Sequence, residues 1–137
     1  MIVADTGAIV ALIDADDRHH ARMRELFEAN PAGWILPWAI LPEVDYLLLR
    51  HVGDPAELAF VRDVAEGRWS IEWGDEADVA RAAELCAHYG RLRLGLVDAV
   101  VMSVAERLRA DGIATLDERH FAAVKLDRGV RLLPRDL

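Results

Sequence analysis

Hydrophobic and polar positions along this chain alternate between two periods, and the switches between them mark the elements. Residues 1–4 are a short apolar run that stops at Asp5-Thr6-Gly7, and 8–13 are apolar enough for a short buried helix, which gives strand, turn, helix. A polar loop at 14–17 precedes an amphipathic helix from about Arg18, with Asp16 placed to cap it and Asn30-Pro31 to close it. Residues 34–36 read as a second strand, and 38–52 as a helix with a strongly apolar face, interrupted near its start by Pro42.

Gly53-Asp54-Pro55 breaks that helix, and 56–66 supply another. In 68–73 the alternation of Trp69, Ile71 and Trp73 predicts a half-buried strand near a sheet edge. A helix over 75–89 and a basic loop over 90–95 follow; 96–109 is a helix apolar on nearly all sides in its first two turns, hence central. Residues 113–116 form a strand ending at Asp117, a short helix runs to about Val124, and 130–133 provide the fifth strand. Strands alternating with helices predict an α/β domain, its parallel sheet covered on both faces.

The 137 residues are 53% hydrophobic and 29% charged, the balance of one ordinary domain with a proper core. No apolar run reaches the roughly 18 to 20 residues of a membrane span, and the acid at Asp5 is unlike a secretory signal, so the expected location is cytoplasmic. The single cysteine, Cys86, falls in the apolar series Val79, Ala82, Ala83, Cys86 and reads as core. The four tryptophans, Trp34, Trp38, Trp69 and Trp73, read as core or dimer contacts. A net charge of −8 argues against simple duplex binding. The bases are nearly all arginine, which suits bidentate phosphate contacts, and the acidic excess also suits a basic partner.

Ligand sites in open parallel sheets form at the carboxyl ends of strands, where Asp5 and Asp117 stand; each is equally suited to capping the helix that follows. Asp98 lies in Leu96-Val97-Asp98-Ala99-Val100, where an unpaired carboxylate is costly, so it needs a partner. Glu43 and Asp45 both have apolar neighbours at helical spacing, and spacing does not choose between them. Converging carboxylates repel by about 4 kcal/mol per pair at 4 Å and an effective dielectric of 20, so a cation must compensate. An oxygen-only donor set, with no His or Cys at metal spacing, points to Mg²⁺ or Mn²⁺ rather than zinc. Such ions suit phosphodiester hydrolysis. His19, His20 and His120 read as surface residues within reach of RNA.

The ordered set Val3-Ala4-Asp5-Thr6-Gly7-Ala8, Pro42-Glu43-Val44-Asp45-Tyr46-Leu47, Gly95-Leu96-Val97-Asp98-Ala99 and Ala114-Thr115-Leu116-Asp117-Glu118-Arg119-His120-Phe121 resembles the PIN-domain nucleases, above all the VapC toxins of bacterial toxin–antitoxin pairs. The resemblance spans the whole chain, 1–137, as one PIN domain, a three-layer sandwich around a central parallel sheet of about five strands. It implies an endoribonuclease with Asp5, Glu43, Asp98 and Asp117 as its acidic site and Asp5 and Asp98 as the metal ligands. It selects Glu43 over Asp45. Thr6 and Thr115 would orient groups of the site, Thr115 pointing to the same side as Asp117 from the strand. Apart from the resemblance, Arg91 and Arg93 flank the loop before the Asp98 helix and read equally as holders of RNA phosphates or as solvated surface charge. The resemblance further implies Mg²⁺ or Mn²⁺ as cofactor, structured transfer or ribosomal RNA as substrate, a homodimer, and a VapB-like antitoxin as partner. Two rivals share parts of the pattern. Asp5-Thr6-Gly7-Ala8 matches the turn of retropepsin-like aspartic proteases, and acids at strand ends occur in receiver-type phosphoacceptor domains, which require a lysine after the last strands, whereas Lys125 follows a helix without the expected proline. A PIN-like fold kept only for binding is the third.

Overall fold

The computed structural model describes residues 1–137 throughout. Five short strands, β1 (Ile2–Ala4), β2 (Trp34–Pro37), β3 (Ser70–Glu72), β4 (Gly112–Ala114) and β5 (Arg131–Leu133), pair in parallel in the order β3-β2-β1-β4-β5. Seven α-helices connect and flank them: α1 (Thr6–Ile13), α2 (His20–Ala29), α3 (Leu41–His51), α4 (Asp54–Ala65), α5 (Glu76–His88), α6 (Gly95–Arg107) and α7 (Glu118–Ala123). The parallel sheet and helical majority leave no room for the mainly β architecture of retropepsin-like proteases.

The chain winds outward from β1 to β2 and β3, then crosses back to β4 and β5 on the other side of β1. Because parallel crossovers are right-handed, this reversal puts α1 to α4 on one face and α5 to α7 on the other. It also makes the gap between β1 and β4 the topological switch point, where their carboxyl ends diverge. The two strands remain tied past their last paired residues by the Asp5 amide, which donates to the Ala114 carbonyl at 2.9 Å.

The core joins both faces: Val3, Ala4, Leu36, Ile113 and Leu133 come from the sheet, and Ala8, Ile9, Val44, Leu48 and Val100 are among those from the helices. In α6 every residue from Ala99 to Ala105 is buried, so this helix is central as expected, but burial begins there; Leu96, a turn earlier, is exposed.

Several boundaries differ from the sequence reading for local reasons. Helix α1 starts at Thr6 because the Asp5 side chain caps it. Pro42 marks the true start of α3, where a missing amide proton costs nothing; the preceding Trp38–Ile40 form a 3-10 turn. Helix α2 begins at His20, and Asp17 rather than Asp16 accepts the His19 amide. Strand β3 does lie at the edge, but it is only three residues long and Trp73 beyond it is 69% exposed, whereas Trp34 is buried. The strand before Asp117 ends at Ala114, leaving Thr115 just past it. The buried stripe of α5 is Asp78, Ala82 and Leu85; Cys86 sits half-buried on its shoulder and Val79 is exposed, so the expected apolar series is not the core face.

Candidate active site

Four elements deliver side chains to the switch point. Asp5 is the first residue beyond β1, 5% exposed, and both its oxygens are held: Oδ1 accepts the Thr6 amide at 2.8 Å and Oδ2 accepts the Thr115 hydroxyl at 2.9 Å. Capping and site-building are therefore one arrangement, since the oxygen that starts α1 also fixes the carboxylate plane. Asp117 caps α7 in the same way, its Oδ1 accepting the His120 amide at 3.2 Å, while its own amide donates to Thr115 Oγ1 at 3.0 Å. Thr115, buried between them, thus donates to one acid and accepts from the backbone of another, although it lies outside the strand proper.

Asp98 enters from the first turn of α6, where the helix dipole favours a negative charge. Gly95, with φ +77°, makes the bend that begins this helix and so sets where the first turn points. Asp98 finds the partner it needs in His120, whose Nδ1 stands 3.1 Å from Asp98 Oδ2. The same nitrogen is 2.9 Å from Asp117 Oδ2.

Glu43 comes from the first turn of α3 and is exposed rather than enclosed by its apolar neighbours. Geometry does separate it from Asp45: Glu43 lines the hollow, while Asp45 stands beside Glu57 of α4, whose carboxyl it raises. Together Asp5, Thr6, Gly7, Glu43, Leu47, Asp98, Leu116 and Asp117 line an open hollow of about 470 Å³.

The electrostatics are those of crowded acids short of cations. Burial raises Asp5 to about 7, against the Thr115 hydrogen bond that lowers it, and the charges of Asp98 and Glu43 add to the rise. Burial likewise raises Asp98 to about 6, with Asp117 and Glu43 adding and His120 opposing. One more polar atom is unbalanced: Thr6 Oγ1 is buried and has no hydrogen-bond partner.

Not all expected residues assemble. Arg91, in a 3-10 turn, and Arg93, the left-handed residue after it, are exposed before α6 and neither lines the hollow nor pairs with an acid. Lys125 lies beyond α7, its amide bonded to the Tyr89 hydroxyl, and contributes nothing to the hollow, which removes the receiver-type reading. His20 turns away, its Nδ1 against the Ala11 carbonyl, and His19 Nε2 accepts from Arg18. His120 is the residue the sequence reading undervalued. Its position three residues after a helix-capping aspartate was the available signal, because such a side chain can fold back over its own cap. The sequence reading expected no His at metal spacing, but Asp98, Asp117 and His120 each offer one donor atom, all within 4.8 Å of one another, so a ring nitrogen stands beside the expected oxygen donors.

Comparison with known proteins supplies context for this geometry. The PIN domain family profile matches residues 2–126. The ribonuclease VapC26 of Mycobacterium tuberculosis is 34% identical over 124 residues, which are 90% of this chain and 92% of that protein. Among solved structures, VapC20 of Mycobacterium tuberculosis, a sarcin–ricin-loop-cleaving toxin, superposes with a TM-score of 0.81 at 22% identity, over 93% of this chain and 98% of that one. The DNA-bound VapBC of Salmonella typhimurium superposes with a TM-score of 0.70 at 20% identity, over 96% and 95%. At those identities the structural likeness concerns the fold.

Proposed function

The chain belongs to the PIN domain family, among its VapC ribonucleases, and from that premise we propose that it is a divalent-cation-dependent endoribonuclease acting on structured RNA, with residues 1–137 as one catalytic domain. The observation that carries the proposal is the convergence of Asp5, Glu43, Asp98 and Asp117 on one open hollow at the switch point of the sheet.

The residues present fit a cation. Two carboxylates are pushed up to about 7 and about 6 when nothing but protein surrounds them, and a buried Thr6 hydroxyl lacks any partner. Asp5 and Asp98 would be the principal ligands, with Glu43 and Asp117 completing the acidic wall. A bound Mg²⁺ or Mn²⁺ supplies charge neutralisation at phosphorus and makes an adjacent water more acidic.

The chain's own groups do the rest. Thr115 and the Thr6 amide fix Asp5, so that its carboxylate spends no reorganisation on the reaction. Glu43, exposed and lining the hollow, would orient the attacking water. In-line attack forms a bond from the water oxygen to phosphorus and breaks the bond from phosphorus to the 3′ oxygen. The products are a 5′-phosphate and a 3′-hydroxyl. Arg91 and Arg93 are unpaired and exposed at the approach to α6, where they are available to flanking phosphates.

By likeness to the VapBC assembly we infer a VapB-like antitoxin that sets basic residues against the acidic hollow, a homodimer, and action in the cytoplasm. No helix is long and apolar enough to cross a membrane. The test is incubation of purified, antitoxin-free protein with total RNA in Mg²⁺ or Mn²⁺, followed by mapping of 5′ ends. Discrete 5′-phosphorylated ends that vanish with EDTA and with Asp5→Asn support the reading. Intact RNA under every cation condition overturns it.

A further inference from the structure

Asp117 and His120 are linked by the helix they begin. The backbone amide of His120 donates to Asp117 Oδ1, which fixes the residue one turn into α7, and its imidazole then returns over the cap to the other carboxylate oxygen. That Nδ1 also meets Asp98 on α6, so one nitrogen faces two carboxylates, at 2.9 and 3.1 Å. A single imidazole N–H cannot satisfy both well. Its side chain is 23% exposed, so the imidazole keeps access to solvent while facing both acids.

Neighbouring ligands on a six-coordinate dication with bonds of about 2.1 Å stand about 3.0 Å apart. The separations that a shared proton bridges here are thus those a cation holds, and one can replace the other with little movement of the side chains. A second feature points to a bound species at the hollow that two of these residues line. Thr6, which shares that lining with Asp98 and Asp117, has its hydroxyl buried and unpartnered, and a bound ion or its water would complete it.

We propose that His120 Nδ1 is a direct cation ligand, forming with Asp98 and Asp117 a mixed nitrogen and oxygen site that favours first-row transition dications over Mg²⁺. This rests on the cation-dependent reading above and refines it. Magnesium takes oxygen ligands almost exclusively, whereas affinity for an imidazole-containing set rises from Mn²⁺ to Co²⁺. A carboxylate-only hollow would show a weaker trend.

The experiment titrates Mg²⁺, Mn²⁺ and Co²⁺ calorimetrically into the full chain and its His120→Ala and His120→Gln variants, and records electron spin-echo modulation of bound Mn²⁺. Expected are ¹⁴N coupling in the parent protein that both variants lose, and a fall in Co²⁺ affinity of about tenfold or more with Mg²⁺ affinity nearly unchanged. In both variants the amide of residue 120 can still donate to Asp117 Oδ1, and the glutamine keeps most of the side-chain volume; thermal melts check that folding is retained. Mn²⁺ bound without ¹⁴N coupling, or with coupling that persists in both variants, overturns the ligand assignment while leaving a carboxylate-bound cation standing. Absence of any Mn²⁺ binding overturns both.

Discussion

The Thr115 hydroxyl donates to Asp5 Oδ2 at 2.9 Å, joining a residue just past β4 to one just past β1 across the point where the sheet reverses direction. Because Thr115 Oγ1 also accepts the Asp117 amide, one hydroxyl fixes the relative position of two site acids. Its replacement by an isosteric methyl separates positioning from packing. Thr115→Val is expected to lower RNA cleavage by about 10- to 100-fold, the range for lost outer-shell support, while costing about 1–2 kcal/mol of stability. Thr115→Ser should recover most of the rate. A valine variant of unchanged turnover would show that Asp5 is held adequately by the Thr6 amide alone.

The elevated carboxylates make stability depend on pH in a definite direction. Asp5 at about 7 and Asp98 at about 6 hold protons in the folded chain that the unfolded chain releases near 4. The folded state binds more protons across that interval, so cation-free protein loses stability as pH rises from about 4 to about 7. Asp5→Asn and Asp98→Asn are expected to abolish cleavage and yet to melt higher than the parent in EDTA at pH 8. Asparagine keeps the cap on α1. Melting temperatures between pH 5 and pH 8, with and without Mn²⁺, check this; cation should flatten the slope for the parent only.

Asp78 behaves in the opposite sense. It is 2% exposed, and burial alone would raise it, but the Arg107 guanidinium at 2.7 Å and the Asp75 amide hold it below the ordinary carboxylate range. Its contribution is complete above the unfolded value near 4 and is lost as pH falls through the lower folded value. Arg107 also reaches Glu72, so one side chain binds α6 to α5 and to edge strand β3. Arg107→Met leaves the Asp78 charge without its partner and is expected to cost about 2–3 kcal/mol, less than the roughly 3–5 of a fully enclosed pair because the arginine is partly solvated. Urea unfolding at pH 7 measures it. A loss below about 0.5 kcal/mol would mean that solvent replaces the guanidinium.

Most of the sheet was legible because its inner strands are short apolar runs ended by a turn residue or an acid, as a parallel sheet buried on both faces requires, while edge strand β3 showed through the alternation around Ile71. Asp5, Asp98 and Asp117 were legible for a related reason: acids at strand ends and in an apolar helix conflict with burial, and function resolves the conflict. His120 was not, because a histidine on a six-residue helix carries no such conflict. Its importance depends on α6 bringing Asp98 beside it, a contact between residues 22 apart in sequence. The apolar neighbours of Glu43 misled for the converse reason: Val44 and Leu48 face the core while Tyr46 and Leu49, on the same short helix, face solvent. Helical spacing fixes which residues share a face and leaves open what that face meets.

Glu43 and Asp45 offer the sharpest check on how sequence likeness and geometry combine. The two acids lie two residues apart on α3 and therefore project about 200° from one another around its axis. Glu43 lines the hollow, and its charge adds to the rise of both Asp5 and Asp98. Asp45 faces α4, where its contact with Glu57 raises that group. Glu43→Gln keeps the size and removes the charge, so cleavage should fall by about tenfold or more with the fold intact. Asp45→Asn removes one member of a surface acidic pair and should change turnover by less than about twofold, with stability unchanged or slightly higher. Paired single-turnover rates on one RNA decide the matter. Equal losses in the two variants would mean that α3 acts through its overall negative charge, and a loss confined to Asp45→Asn would reverse the assignment of the fourth acid.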